Sequence, residues 1–154
     1  MIKPDFPALL NPGKHIISTR ELHVLAVAPF EQSRHRQDLY DKLVSWIKAV
    51  QILGLSGTLW LDGSFLTGKP APNDIDCVLW GPHWIHNTDD LTEAKKAEAF
   101  HLLDRAIVGK LYNIDLYIEA PTDDQKFNRE AYWGGVLGFA HDRSTAKGFA
   151  EIGI

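Results

Sequence analysis

The sequence has one cysteine, Cys77, and no apolar segment long enough to span a bilayer. A single cysteine excludes an internal disulfide and any zinc cluster built on cysteines. The N-terminus has no apolar core behind a basic start, so nothing in it indicates secretion. We therefore expect a cytoplasmic protein that makes no membrane contact.

An excess of basic residues is also missing. Sixteen Lys and Arg stand against twenty Asp and Glu, which gives a formal net charge of −4. A broad, sequence-independent nucleic-acid surface is therefore not expected, although a local basic patch could still bind nucleic acid. The length of 154 residues and the 45% hydrophobic content are typical of one globular domain with a real core. We predict a single domain over residues 1–154.

Hydrophobic spacing predicts an α/β (α+β) fold, in which helices pack on a mixed β-sheet. It predicts three helices: one that starts at the capping box Ser18–Glu21 and stops by Pro29, one over residues 31–53 that Gly54 ends, and one that Asp89 or Asp90 caps and Gly109 ends. Residues 1–17 carry three prolines and are expected to be irregular. Residues 123–131 are polar and are expected to form at least one helical turn. Three central strands are predicted at residues 58–62, 75–80 and 111–118. Residues 135–140 and 149–152 are expected to pair as a C-terminal hairpin.

The most informative stretch lies between the first two predicted strands. An apolar run ends at Gly63-Ser64, and after nine residues Asp74-Ile75-Asp76 opens a second apolar run. Strand side chains alternate faces, so Asp74 and Asp76 point the same way. Asp115 lies within the third predicted strand. Three carboxylates near a Gly-Ser turn indicate a site for a hard cation and a phosphate, because clustered carboxylates persist in water or around a cation.

This order of motifs resembles the nucleotidyltransferase superfamily of the DNA polymerase beta type. The resemblance is closest to its small bacterial and phage members of unassigned substrate. The segments GSFLTGKPAPNDID and DRSTAKG are both similar to that group. The motifs cover about residues 57–119, and a weaker resemblance extends over most of the chain.

The resemblance implies a role for each matching residue. Asp74 and Asp76 would hold two Mg²⁺ ions, with Mn²⁺ as an alternative, and Asp115 would share the catalytic metal and help to deprotonate the attacking hydroxyl. Gly63 and Ser64 would bind a phosphate of a nucleoside triphosphate. The implied reaction moves a nucleoside monophosphate onto a hydroxyl of a protein, an RNA or a small molecule.

Several alternatives stay open at this stage. Asp74 and Asp76 taken alone could be a solvated strand end. Lys69 is either a triphosphate contact or an ordinary loop lysine; Pro70 excludes a P-loop there. Arg143 and Lys147 fit a solvated hairpin tip better than a phosphate site.

The chain after Glu119 is too short for the helical domain that larger members of the superfamily carry. A second class of function therefore stands beside the enzyme: a binding module that acts through a protein partner, as in a toxin–antitoxin or phage-defence pair.

Overall fold

The computed structural model describes residues 5–86 and 91–154. Its centre is a mixed five-stranded β-sheet, as the hydrophobic pattern predicts. The strands are β1 (Gly13–Ile16), β2 (Leu55–Asp62), β3 (Ile75–Trp84), β4 (Ile114–Glu119) and β5 (Gly148–Gly153). Their order across the sheet is β1-β5-β2-β3-β4. β1 pairs with β5 and β3 with β4 in parallel, whereas β2 runs antiparallel to both of its neighbours.

Within the part of the chain that the structure describes, five α-helices connect or cover these strands. They are α1 (Thr19–Ala26), α2 (Arg34–Leu53), α3 (Glu93–Leu103), α4 (Arg105–Tyr112) and α5 (Asp123–Leu137). The predicted capping box at Ser18 is formed, and Gly54 ends α2 in the left-handed conformation with a φ of 97°.

The third predicted helix is two helices, because the Asp104 side chain accepts a hydrogen bond from the Ile107 amide and starts a new one. Asp89 and Asp90 lie outside the described residues, and Thr92 caps α3.

The two faces of the sheet carry cores of different size. Helices α1 to α4 pack on one face, where the main core includes Leu59, Leu61, Ile75, Cys77, Leu79, Ile114 and Leu116. Helix α5 packs on the other face, over a smaller core of Trp60, Val78, Trp133, Leu137 and Phe149. Side chains at alternate strand positions lie on this second face, where α5 covers the smaller core.

The expected C-terminal hairpin is reduced to a single antiparallel bridge between Phe139 and Ala146, and its two predicted strands do not pair with each other. Residues 135–137 belong to α5, and β5 pairs with β1 and β2 instead. A capping box at Thr122 starts α5, and burial of Trp133 and Leu137 against the sheet sustains it through Gly134 and Gly135. Tertiary packing thus outweighs the low helix propensity of glycine.

Two smaller expectations also fail. Leu111 and Tyr112 end α4 rather than start β4, and Asn113 reverses the chain with a φ of 53°. The segment before Ile17, expected to be irregular, contributes β1. Within the described residues, no helix has the length and apolar character needed to cross a membrane.

Candidate acidic site

Three aspartates from adjacent strands form one row on the face that α5 partly covers. Asp76 of β3 is in register with Asp62 of β2 on one side and with Asp115 of β4 on the other. Residues in register on neighbouring strands lie side by side on the same face. We call Asp62, Asp76 and Asp115 the acid row. The structure thus brings the predicted residues Asp76 and Asp115 together and adds Asp62 to them.

Asp74 joins the acid row from the turn before β3. It lies two residues before Asp76, and its charge contributes to the electrostatics of the Asp76 carboxyl. Asp74 and Asp115 line the same cavity of about 630 Å³, together with Asn73, Asn113 and Arg105. Asp74 and Asp115 therefore border the same cavity at this end of the sheet.

A basic side chain binds each end of the acid row. Lys147, just before β5, places Nζ 2.8 Å from Asp62 Oδ2. At the other end, Arg105 Nε donates to Asp115 Oδ1 over 2.7 Å, and its Nη2 donates to the Tyr117 hydroxyl over 2.6 Å. The Lys147 side chain is only 15% exposed, so its predicted position at a solvated hairpin tip is wrong.

Asp76, in the middle of the row, has an unusual pKa. Burial, followed by repulsion from Asp74, Asp115 and Asp62, raises the pKa of Asp76 to about 7, against an ordinary 3.8. Lys147 opposes this rise only weakly. At neutral pH the Asp76 carboxyl therefore holds its proton far more strongly than an ordinary aspartate does, and a cation would stabilise its ionised form.

Asp62 is the most buried member of the row, with 3% of its surface exposed. Burial raises its pKa to about 6, although the charge of Lys147 and the Gly63 amide oppose the rise. Its Oδ1 atom is buried and accepts no hydrogen bond of ordinary geometry from any residue that the structure describes. A buried oxygen of this kind carries a desolvation penalty that a ligand would remove.

Gly63 passes directly over the acid row. It has a φ of 83° and a ψ of −166°, and a Cβ atom built on it would lie 2.0 Å from Asp76 Oδ2. A glycine is therefore required here for close approach to a carboxylate and for its backbone conformation. Ser64 follows and begins a single 3₁₀ turn, Ser64–Leu66.

The loop after this turn is held by a buried arginine that the sequence analysis does not single out. Arg36 of α2 is fully buried, and its guanidinium donates to the carbonyl oxygens of Ala26, Phe65, Thr67 and Lys69. A signal is present in the sequence, because Arg36, Leu39 and Leu43 share the stripe of α2 that faces the core. Lys69 lies in the loop that Arg36 fixes, so its backbone position is defined by that contact.

A second arginine–carboxylate pair lies farther along β4 on the same face. Arg129 of α5 donates through Nε to Glu119 Oε1 over 3.0 Å, and Trp133 Nε1 donates to the same oxygen over 2.8 Å. The hydrogen bonds from Arg129 hold the pKa of Glu119 below its usual value. This pair anchors α5 to the sheet. Glu119 lies four residues after Asp115 on β4 and is therefore outside the acid row.

The side chains of the acidic site suit a divalent cation in their chemistry but are not assembled around one. Carboxylate oxygens are the ligands that Mg²⁺ and Mn²⁺ prefer, and both the buried Asp62 Oδ1 atom and the raised pKa of Asp76 show local demand for positive charge. Within residues 5–86 and 91–154, however, no three His, Cys, Asp or Glu side chains are arranged to hold a metal ion. In this arrangement the two outer carboxylates of the row are bound by Lys147 and Arg105.

Comparison with known proteins identifies the family of the chain but does not indicate an activity. Residues 4–153 match the model of DUF6932, a family of unknown function, and the chain belongs to that family. No curated protein and no solved structure matches it.

Proposed function

We propose that the protein is a nucleotidyltransferase that uses Mg²⁺ or Mn²⁺ to move a nucleoside monophosphate from a nucleoside triphosphate to a hydroxyl acceptor. The observation that carries this proposal is the register of the acid row, with Asp74 beside it. The carboxylates of Asp74, Asp115 and Asp62 all repel that of Asp76, and Lys147 and Arg105 neutralise the outer members of the row. A divalent cation is the simplest species that relieves the repulsion remaining at Asp76.

The proposal assigns a role to each acid. Asp74, Asp76 and Asp115 would hold the cation, and the cation would neutralise charge on the attacking and leaving oxygens of the phosphoryl group. Asp115 lines the open cavity, and its carboxylate would orient the acceptor hydroxyl and draw off its proton. Asp62 and Lys147 would support Asp76 from the Asp62 end of the row, which lies away from the cavity.

Gly63, Ser64 and Lys69 are proposed to bind the phosphates. Support comes from the position of Gly63 directly over Asp76, and from the rigid hold of Arg36 on the loop that carries Lys69. A fixed loop positions phosphate contacts without a loss of conformational entropy on binding.

The acceptor, in this proposal, is a protein side chain, an RNA end or a small molecule in the cytoplasm.

One observation favours the second class of function, a binding module that works through a protein partner. The ion pairs of Asp62 and Asp115 neutralise the ends of the row without any ligand. Such a module would keep these ion pairs in all its states and would bind neither cation nor nucleotide.

The test compares the wild type with Asp76→Asn and with Glu151→Gln. Glu151 provides the matched control, because it is a carboxylate on β5 that Lys14 neutralises outside the acid row. Mg²⁺ should raise the melting temperature of the wild type and the control, and both should transfer label from α-labelled triphosphates in a lysate. Asp76→Asn should lose the transfer and most of the shift. Absence of both effects in the wild type would favour the binding module.

A further inference from the structure

Arg105 occupies the end of the acid row that opens to solvent. Its side chain is 56% exposed, whereas that of its partner Asp115 is 28% exposed. Its guanidinium lies over the Tyr117 ring, with Cζ 4.2 Å from the ring centroid, and also lines the cavity of about 630 Å³. The same group thus contacts Asp115, an aromatic support and the space that a substrate would enter.

This contact conflicts with cation binding at Asp115. A cation and a guanidinium would compete for the same Oδ1 atom, since Arg105 Nε and Nη2 both lie within 2.7 Å of it. Because the Arg105 side chain is 56% exposed, its guanidinium can leave Asp115 without disturbing the core. A planar guanidinium also binds phosphate oxygens in pairs, which gives it an alternative partner in the cavity.

We propose that Arg105 is an internal counter-ion of Asp115. A phosphate group of the substrate draws Arg105 away from Asp115 and into the cavity, and a divalent cation then binds the acid row. The proposal rests on the proposed function and adds its regulation: cation binding at the acid row depends on an anionic phosphate group of the substrate.

The physical consequence is coupling between anion and cation. An anion alone meets the charges of Asp74 and Asp115, and a cation alone must displace Arg105. When both bind, each opposite charge is matched, so each ligand strengthens the binding of the other. A neutral substrate would not produce this coupling.

The experiment measures the Kd of Mn²⁺ by electron paramagnetic resonance of the free ion. It compares the wild type, Arg105→Gln and Arg129→Gln, each in chloride and in sulfate at equal ionic strength. Arg129→Gln is the matched control, because it removes an arginine from a carboxylate of β4 on the same face. Arg105→Gln should tighten Mn²⁺ binding roughly twofold to fivefold, the upper part of the range for loss of a partly exposed competing ion pair. Sulfate should tighten Mn²⁺ binding by the wild type and by Arg129→Gln, and leave Arg105→Gln unchanged.

The remaining outcomes separate the role of Arg105 from the proposed function. If the wild type binds Mn²⁺ and Arg105→Gln binds it equally, the role of Arg105 is refuted while the proposed function stands. An equal gain in Arg129→Gln would refute it as well, since the effect would then be one of net charge. Sulfate coupling that persists in Arg105→Gln would refute the anionic substrate. If no variant binds Mn²⁺ at millimolar concentration, the proposed function and this inference both fail. Arg105→Lys keeps the charge and should give an intermediate Kd, and melting curves without cation check that each variant folds.

Discussion

Replacing Asp76 by asparagine should stabilise the protein at neutral pH when divalent cations are absent. The pKa of Asp76 is about 7 in the folded chain, against an ordinary value of 3.8. The folded state therefore holds the proton more tightly than the unfolded state does. Stability falls as the pH rises from about 4 to about 7, and the loss is complete above the folded pKa.

The magnitude follows from the size of the shift. At about 1.4 kcal/mol per pH unit, a rise from 3.8 to about 7 corresponds to on the order of 4 kcal/mol, most of which develops above pH 5. The asparagine side chain of the variant has no proton to lose and presents no charge to Asp62 or Asp115. The stability of the variant relative to the wild type should therefore grow by about 2–3 kcal/mol between pH 5 and pH 8.

Urea titrations in EDTA, followed by tryptophan fluorescence at pH 5, 6, 7 and 8, measure this difference. Asp142→Asn is the control, because turn hydrogen bonds from Thr145 and Ser144 hold the pKa of Asp142 at about 2. Asp142 is ionised in both states from pH 5 to pH 8, so its loss should lower stability without changing the pH slope. If Asp76→Asn keeps the wild-type slope, or is the less stable protein at pH 8, the argument from crowded carboxylates is refuted.

Three further substitutions test Gly63, the loop that Arg36 holds, and the ion pair at the Asp62 end of the acid row. Gly63→Ala should lower the free energy of unfolding, measured in urea, by roughly 1–3 kcal/mol, because its Cβ would lie 2.0 Å from Asp76 Oδ2. Adding Asp76→Ala should recover part of the lost stability, and no recovery would rule out the clash. Arg36→Met should cost roughly 3–5 kcal/mol by leaving four carbonyl oxygens unpaired, and a loss below about 1 kcal/mol would contradict that accounting. Lys147→Met should destabilise the protein more at pH 8 than at pH 5, because the buried Asp62 loses its cation; equal losses would show that the ion pair is unimportant.

Much of the fold followed from local signals. The capping box at Ser18, the stripe of α2 and the apolar runs of β2 and β3 each determine an element by short-range chemistry. The C-terminal part did not follow, because α5 contains Gly134 and Gly135 and depends on burial against the sheet. The parallel pairing of β1 with β5 joins segments far apart in the chain, and no local pattern encodes it.

The candidate site divides in the same way. The spacing of Asp74 and Asp76 and the strand pattern around Asp115 were enough to predict that these acids lie together. Asp62 was not predicted because its burial depends on strands on both sides, which only the folded sheet supplies. Arg105 was missed for a related reason. Its contact with Asp115 crosses from the start of α4 to an edge strand, and neither helix nor strand periodicity reports such a contact.

The acid row is difficult to explain as a device for stability. Like charges in register on adjacent strands destabilise a sheet, and repulsion from its neighbours outweighs the attraction of Lys147 at Asp76. An asparagine would fit the same space next to Gly63 without the repulsion. Lys147 and Arg105 bind the outer members of the row, Asp62 and Asp115. The central carboxyl, that of Asp76, is therefore the one whose ionised form most needs a cation. An arrangement that lowers stability at one surface site is expected where a ligand restores the balance. The Lys147 side chain is 15% exposed and that of Arg105 is 56% exposed, so the end of the row that can exchange its cation is the end that borders the cavity.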